Sequence, residues 1–379
     1  MTRISPAWLR APETMRVMAA LAPARPLFVG GCVRDALLGR EAGDLDIVAA
    51  APPEESLRLA AAAGFATHPT GIAHGVVTVV ADGRAFEVAS MRRDMATDGR
   101  RAVVAYTTDI GEDAARRDFT MNALYADADG RVLDPLAAGL DDLRAGRILF
   151  VGAPARRIEE DNLRILRFFR FHATLGITTF DPAGRAACVQ GGAGLRRISK
   201  ERIGAEMMKL LGAPDPLPAL IAMENVLTIC LPGAAPPAGL IAAEKRAGEP
   251  PDALRRLAAL GAEEPRRALR LSRVESARLR NIAAALRADE PAAALGYRFG
   301  IEAARDAILI RAARGTPPPP RWREEIARGA AKVPPVSASD LIAAGASPGP
   351  ALGARLKALE ERWIASDFRA TKAALLASL

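Results

Sequence analysis

The first 150 residues alternate short apolar runs with turn residues, and the remainder is dominated by helical periodicity. Leu27-Phe28-Val29 is an apolar run stopped by Gly30-Gly31. It reads as a strand and a turn, followed by a short helix opening with Cys32-Val33-Arg34-Asp35 and a second strand carrying Asp44 and Asp46. Ser5 to Leu21 reads as an amphipathic helix, and Pro53 to Ala63 as another. Val-rich segments between Val76 and Ala89 flank Asp82-Gly83, a strong signal for a tight hairpin. Met95 to Asp113 is polar, with Asp98-Gly99-Arg100-Arg101 at its centre, and reads as a long loop. Glu159 to Leu175 is strongly helical, with Leu163, Ile165, Leu166, Phe168 and Phe169 as its apolar contacts. Ser199 is placed to cap a further helix that ends near Leu211. From Pro216 onward helix follows helix without a fixed repeat, and Pro317 to Pro320 is a stiff breaker.

Composition narrows the class. A chain of 379 residues predicts two or three domains, and 50% apolar with 25% charged residues marks it as globular. Lys and Arg number 52 against 44 Asp and Glu, a net charge of +8, which favours a polyanionic partner. Cys32, Cys188 and Cys230 lie far apart without metal-ligand spacing and read as reduced thiols of a cytoplasmic protein. The three histidines, His68, His74 and His172, cannot build a His-rich metal site, which excludes an appended His-Asp phosphohydrolase domain. No apolar run is long enough to span a membrane. The N-terminus carries Arg3, Arg10 and Arg16 but no signal-peptide core, and Glu13 argues against a transit peptide.

Candidate chemistry gathers near the start. Residues two apart on a strand share a face, so Asp44 and Asp46 would present paired carboxylates, with Gly43 supplying a sharp turn before them. The Gly30-Gly31 turn allows close backbone approach, the helix start behind it offers N–H groups to an anion, and Arg34 adds positive charge. Carboxylates for a divalent metal beside a phosphate-accepting turn suggest metal-assisted chemistry on a nucleotide. Glu87 sits amid apolar neighbours on the second hairpin strand and needs a partner. It is either ion-paired with Arg92 or Arg93, or a third carboxylate facing Asp44 and Asp46. In Arg116-Arg117-Asp118, Arg117 can grip phosphate oxygens and Asp118 can accept from sugar hydroxyls or act as an N-cap. Asp161, Arg164, Arg167 and Arg170 are spaced three apart, neighbours along a slowly winding helical ridge. They are either a solvated face with an i,i+3 ion pair or a ligand-reading row. Arg255, Arg256, Arg266, Arg267, Arg270, Arg273, Arg278 and Arg280 could together form a track for an RNA backbone.

These motifs resemble the bacterial-type class of tRNA CCA-adding nucleotidyltransferases and poly(A) polymerases. Gly30-Gly31-Cys32-Val33-Arg34-Asp35, Leu38-Gly39 and Asp44-Leu45-Asp46 look like motif A. Arg116 to Leu124 resembles motif B, Gly139-Leu140-Asp141-Asp142-Leu143 motif C, Glu160 to Arg167 motif D, and Ile198 to Ile203 motif E, here read as structural support. The resemblance implies an α+β chain: a polymerase-beta-like mixed α/β head over 1–150, a helical neck over 151–215, a body over 216–316 and a tail over 317–379, the last two helical and RNA-binding. It implies addition of C, C and A to a tRNA 3′ end from CTP and ATP. Asp44 and Asp46 would hold two Mg²⁺ ions with Glu87. Gly31, Arg34, Arg117 and Asp118 would hold phosphates and sugar. Asp161 and Arg164 would read the base, assisted by Arg167 and Arg170. The loop at 95–113 would help switch between additions. Gly345 to Gly353, before a helix from about Ala351 to Ser366, resembles the tail and could hold a phosphate. Poly(A) polymerases of this family carry a basic segment where Gly71-Ile72-Ala73-His74-Gly75 stands here, which argues against that activity. Addition of A alone is the nearest alternative. A non-catalytic RNA-binding protein would explain the charge but not the intact Asp-x-Asp. No protein partner is inferable.

Overall fold

The computed structural model describes residues 2–97 and 102–378. It divides into two compact units, one of Met1–Glu206 with Pro218–Ile229, the other of Met207–Leu217 with Cys230–Leu379.

The first unit is built on a mixed seven-stranded sheet. Its strands are β1 (Leu27–Val29), β2 (Asp46–Ala49), β3 (Ala66–Gly71), β4 (Val76–Ala81), β5 (Arg84–Ser90), β8 (Tyr125–Ala126) and β9 (Val132–Leu133), in the order β3-β4-β5-β2-β1-β8-β9. Only β2 and β5 pair in parallel, and their register sets Asp46 against Glu87. The hairpin turn is as expected: Asp82 and Gly83 both have positive φ, 50° and 78°, the geometry that matches strand twist. Val29, Val48, Met91, Ala123 and Tyr125 share a core with Ala114 beneath the middle strands.

The expected helix over Ser5–Leu21 is interrupted. A 3₁₀ turn at Ala7–Arg10 is separated from α1 (Pro12–Ala20) by extended Ala11, because Pro12 disfavours helical backbone at the residue before it. The helices α2 (Gly31–Leu37) and α3 (Pro53–Ala62) stand where expected. The segment read as a loop is instead a ribbon of β6 (Arg92–Thr97) and β7 (Ala102–Tyr106), followed by α4 (Ile110–Ala115). Ala102-Val103-Val104-Ala105-Tyr106 carries a β-forming signal that the charged centre of the segment obscures. That centre, Asp98 to Arg101, lies outside the described residues.

After α5 (Gly139–Arg144) come α6 (Pro154–Glu160) and α7 (Leu163–Leu175). The continuous helix expected over Glu159–Leu175 is broken at Asp161, whose backbone is extended (φ −151°, ψ 104°). Behind α7, Phe168 packs within 5.4–6.2 Å of Phe119, Phe150, Phe169 and Phe180, a rigid aromatic backing. α8 (Pro182–Gly191) and α9 (Lys200–Leu211) follow, and Ser199 Oγ accepts from Arg202 N at 3.4 Å as the cap position requires.

The second unit is helical. Helix Ala292–Ala313 breaks at Gly300 (φ 80°), and helix Trp322–Ala330 lies across its first half. Trp322 and Ile326 join a core with Ala285, Leu295, Ala304 and Ile308. The expected arginine track is corrected here. Arg255 and Arg256 are each 1% exposed, salt-bridged to Glu244 and, for Arg255, to Asp306; Arg278 bridges Asp252 and Asp306. Buried guanidiniums need carboxylates, and this local pairing is invisible in a count of arginines. Arg266, Arg267, Arg270, Arg273 and Arg280 remain exposed. The tail helix is Pro350–Ala365, beginning and ending within a residue of the expected span.

The crossing of the two helices depends on glycine. A Cβ on Gly329 would lie 1.8 Å from the Ala293 carbonyl oxygen. Gly-to-Ala in a helix ordinarily gains up to about 1 kcal/mol, but here backbone must move, at a cost of about 1–3 kcal/mol. Gly329→Ala is expected to lower the urea midpoint, while Gly353→Ala, which meets nothing within 4 Å, should raise it slightly. Equal shifts would show the crossing to be loose.

Candidate active site

Alternation along β2 sets the carboxylates. Leu45 is buried, Asp46 opens the strand half-buried, and Asp44 stands exposed in the bend before it. Gly43 stands in the bend before β2, as expected, without left-handed backbone; the left-handed positions nearby are Gly30 (φ 73°) and Gly39 (φ 66°). The burial expected at Glu87 is corrected: β5 buries Phe86 and Val88 on one face and leaves Glu87 exposed on the other, so no buried partner is required. Arg93 pairs with Glu112 instead. The Asp46 pKa is raised, first by burial and then by the charge of Glu87, with Asp44 adding and Arg117 and Arg167 opposing. Three carboxylates and two arginines therefore act on one another. Among the described residues no three potential ligands converge closely enough to hold a metal unaided.

Gly30 lies between β1 and α2, its N–H on Leu124 O at 3.0 Å, and is the N-cap position of α2. Arg34, one turn on, is buried and already engaged. Its Nε and Nη2 donate to the two Asp35 oxygens at 2.9 and 3.0 Å, and Nη1 to Asn122 Oδ1 at 2.7 Å.

The remaining arginines follow the same rule. Asp113, fully buried on α4, accepts from Arg116 Nη2 at 2.7 Å, Arg117 Nη2 at 2.8 Å and the Tyr125 hydroxyl at 2.7 Å. Asp118 is not a helix N-cap, since the 3₁₀ turn Thr120–Asn122 starts after Phe119. Its Oδ1 accepts from Phe119 N and Asn122 Nδ2, and its Oδ2 from Arg167 Nε at 2.6 Å. Burial would raise its pKa, but Arg167 and these hydrogen bonds outweigh burial and lower it. Arg170 pairs with Glu206 on α9. Arg34, Arg167 and Arg170 lie 4.9, 5.4 and 3.9 Å from the ring centre of Phe171, which gathers three cations around one aromatic ring.

The break after α6 changes the expected ridge. Asp161 is not on the same helical run as Arg164. It caps α7 through Leu163 N at 3.0 Å and takes Arg202 Nη2 at 2.8 Å. Arg164 donates to Glu160 Oε2 at 2.7 Å, Arg157 O at 3.0 Å and Arg116 O at 3.0 Å. The expected i,i+3 pair is thus an i,i+4 pair between Glu160 and Arg164. Asp113, Glu206 and Phe171 were not read from the sequence as parts of this region, and Glu160 and Arg202 were placed in motifs D and E without these partners. Asp113 had a usable signal: it lies three and four residues before Arg116 and Arg117, the spacing of facing helix positions.

Residues 27–149 match the Poly A polymerase head domain family. The chain is 44% identical over 189 residues to a CCA-adding enzyme of Streptococcus gordonii, an alignment covering 49% of this chain and 46% of that one. The chain thus spans about half the length of that relative. It is 34% identical over 334 residues to the CCA-adding enzyme of Geobacillus stearothermophilus, covering 84% of this chain and 81% of that one. The chain belongs to the CCA-adding enzyme family. This family is one of metal-dependent nucleotidyltransferases. Its solved structures include the Bacillus stearothermophilus CCA-adding enzyme in complex with CTP, which superposes with a TM-score of 0.79 at 32% identity, over 96% of this chain and 94% of that one. No helix among the described residues of this family member is long and apolar enough to cross a membrane.

The charge pairing at Asp113 has a pH signature. Burial would raise its pKa, but Arg117 and Arg116 bring it down to about 2 from an ordinary 3.8. A lowered carboxylate pKa contributes stability that is present above the unfolded value and is lost as pH falls towards about 2. At 1.36 kcal/mol per unit this is about 2–3 kcal/mol. The unfolding free-energy difference between wild type and Asp113→Asn is expected to shrink by about 1 kcal/mol between pH 6 and pH 3, and by the full amount only below about pH 2. A gap constant with pH would contradict the pairing.

Proposed function

We propose that this chain is a cytoplasmic CCA-adding tRNA nucleotidyltransferase, adding C, C and A to a tRNA 3′ end from CTP and ATP with release of pyrophosphate. The observation that carries the reading is the match at 34% identity over most of both chains, together with a carboxylate, Asp161, and a guanidinium, Arg164, flanking one helix break.

Cytosine and adenine present an amino donor beside a ring-nitrogen acceptor. Asp161 would accept from the amino group and Arg164 would donate to the ring nitrogen. Uracil and guanine show the opposite polarity, and each unpaired buried group costs about 1–3 kcal/mol. Before reading, Asp161 must exchange Arg202 for the base. That pair is half-exposed, and such pairs are worth only about 0–1 kcal/mol, so the exchange is cheap. Arg164 keeps Glu160 and Arg116 O as it reads, which fixes the plane of its guanidinium.

Asp44 and Asp46, with Glu87 alongside, fit Mg²⁺: they are hard oxygen donors, and Mg²⁺ takes one or two carboxylates and completes its shell with phosphates and water. When bound, two such ions would promote attack of the terminal ribose hydroxyl and neutralise the triphosphate. Gly31 would let the phosphates approach the backbone. Arg117 would grip them, while Arg34, held by Asp35, would contribute field rather than free donors. Asp118, Arg167 and Arg170 would frame the sugar and base. The exposed Arg266, Arg267, Arg273 and Arg280 would carry tRNA backbone in place of the buried Arg255 and Arg256, with the tail assisting.

The test is extension of a tRNA that lacks its 3′ CCA, with each of the four triphosphates. Wild type is expected to incorporate C and A in order. Asparagine at 161 can offer either donor or acceptor, so Asp161→Asn should use CTP and ATP less well and incorporate measurable UTP or GTP. Addition of A alone would favour the A-adding alternative. Asp161→Asn with full activity and full selectivity would remove Asp161 from base reading.

A further inference from the structure

Three consecutive residues, Arg116, Arg117 and Asp118, each touch a different part of the site. The Arg116 carbonyl accepts from Arg164 Nη2 at 3.0 Å, and Asp118 Oδ2 accepts from Arg167 Nε at 2.6 Å. Arg117 uses Nε and Nη2 on Asp113 and Nε again on the Tyr125 hydroxyl at 2.9 Å. Its Nη1 lies beside the Gly30 turn, 3.8 Å from where a Cβ would stand, and its charge acts on Asp46. Asp113 is the single carboxylate that binds both guanidiniums of this segment, and it is fully buried. Its second oxygen also takes the Tyr125 hydroxyl, and its first lies 3.3 Å from the Arg92 amide. Every lone pair is thus aimed at a fixed donor.

We propose that Asp113 is a positioning residue that sets the phosphate grip and the base-reading group together. It anchors both arginine side chains from below, so the strip 116–118 has one orientation. That orientation aims Arg117 Nη1 at the glycine turn and presents the Arg116 carbonyl to Arg164. A nucleotide with the right base and a correctly placed triphosphate then meets two donors fixed by one acid. Each guanidinium puts Nε and Nη2 on one Asp113 oxygen; such charge-assisted bonds are roughly twice as strong as neutral ones, and preorganised donors need no rearrangement during reaction. The proposal rests on the nucleotidyltransferase reading above and adds a residue to it.

The experiment measures KM and kcat for CTP, ATP and UTP with wild type, Asp113→Asn, Tyr125→Phe, Arg117→Ala and the Asp113→Asn/Arg117→Ala double variant. An asparagine turns one acceptor into a donor facing an arginine, so Asp113→Asn is expected to raise KM for CTP and ATP about tenfold and to narrow the preference for CTP over UTP. Tyr125→Phe keeps both ion pairs and should move KM in the same direction by a smaller factor, which retains the test if Asp113→Asn does not fold. In the double variant the second substitution should add little to KM, because the phosphate grip runs through the Arg117 guanidinium alone, while the base preference, carried through Arg116, should still narrow. A purely structural Asp113 would reduce the folded fraction and the melting temperature but leave KM and base preference unchanged. That result, or additive effects on KM in the double variant, overturns the proposal. Wild type failing to extend tRNA would overturn the function instead; Asp113 would then be judged on CTP affinity by calorimetry, where wild-type affinity in Asp113→Asn and Tyr125→Phe also overturns it.

Discussion

Every arginine of the candidate site is held by an acid of the same unit. Arg34 sits on Asp35, Arg116 and Arg117 on Asp113, Arg164 on Glu160, Arg167 on Asp118, and Arg170 on Glu206. The constraint is electrostatic. Guanidiniums packed around one aromatic ring repel one another, and burial weakens each of them: Arg170 has its pKa lowered first by burial, with Arg167 and Arg34 adding to the effect. Without local carboxylates such a cluster would swing out to water. With them the positive groups stay aimed at the turn before α2 and the start of β2, while Asp44, Asp46 and Glu87 remain comparatively free. The site thus separates arginines fixed by partners from comparatively free carboxylates.

On the proposed reading, this arrangement would let a helix stand in for a template. Reading a base by two hydrogen bonds needs groups that do not reorient to suit the wrong base. Arg164 is tied at three points, and the α6–α7 break lets Asp161 leave the helical path, cap α7 with one oxygen and hold the half-exposed Arg202 with the other. The aromatic packing behind α7 resists tilting of that helix, since a stack of buried rings cannot slide without opening voids. On the proposed reading, selectivity would rest on stiffness rather than on many contacts.

Much of this was legible in the sequence where signals were local. Gly-Gly, Asp-x-Asp, Asp82-Gly83 and the Arg-Arg-Asp run each have a mechanism written into neighbouring residues, and the hairpin, α2 and the pairing of β2 with the Glu87 strand agree with them. Misreadings came where long-range partners decide. Arg255 and Arg256 look like RNA contacts until Glu244 and Asp306 are brought beside them by folding. Glu87 looks buried until β5 shows which face it takes. The helix through Asp161 looks continuous because its side-chain periodicity is intact, and only backbone geometry records the break. The acids that fix the arginines were hardest to find, because Glu206 and Asp118 serve arginines 36 and 49 residues away in sequence.

The central claim is that protein side chains alone read the base. Calorimetric titration of CTP, ATP, UTP and GTP into the tRNA-free protein with Mg²⁺ tests it directly. The account predicts that CTP and ATP bind at one shared site and compete, and that UTP and GTP bind at least about tenfold more weakly, the equivalent of roughly one unpaired buried group. Equal affinity for all four triphosphates in the absence of tRNA would contradict it.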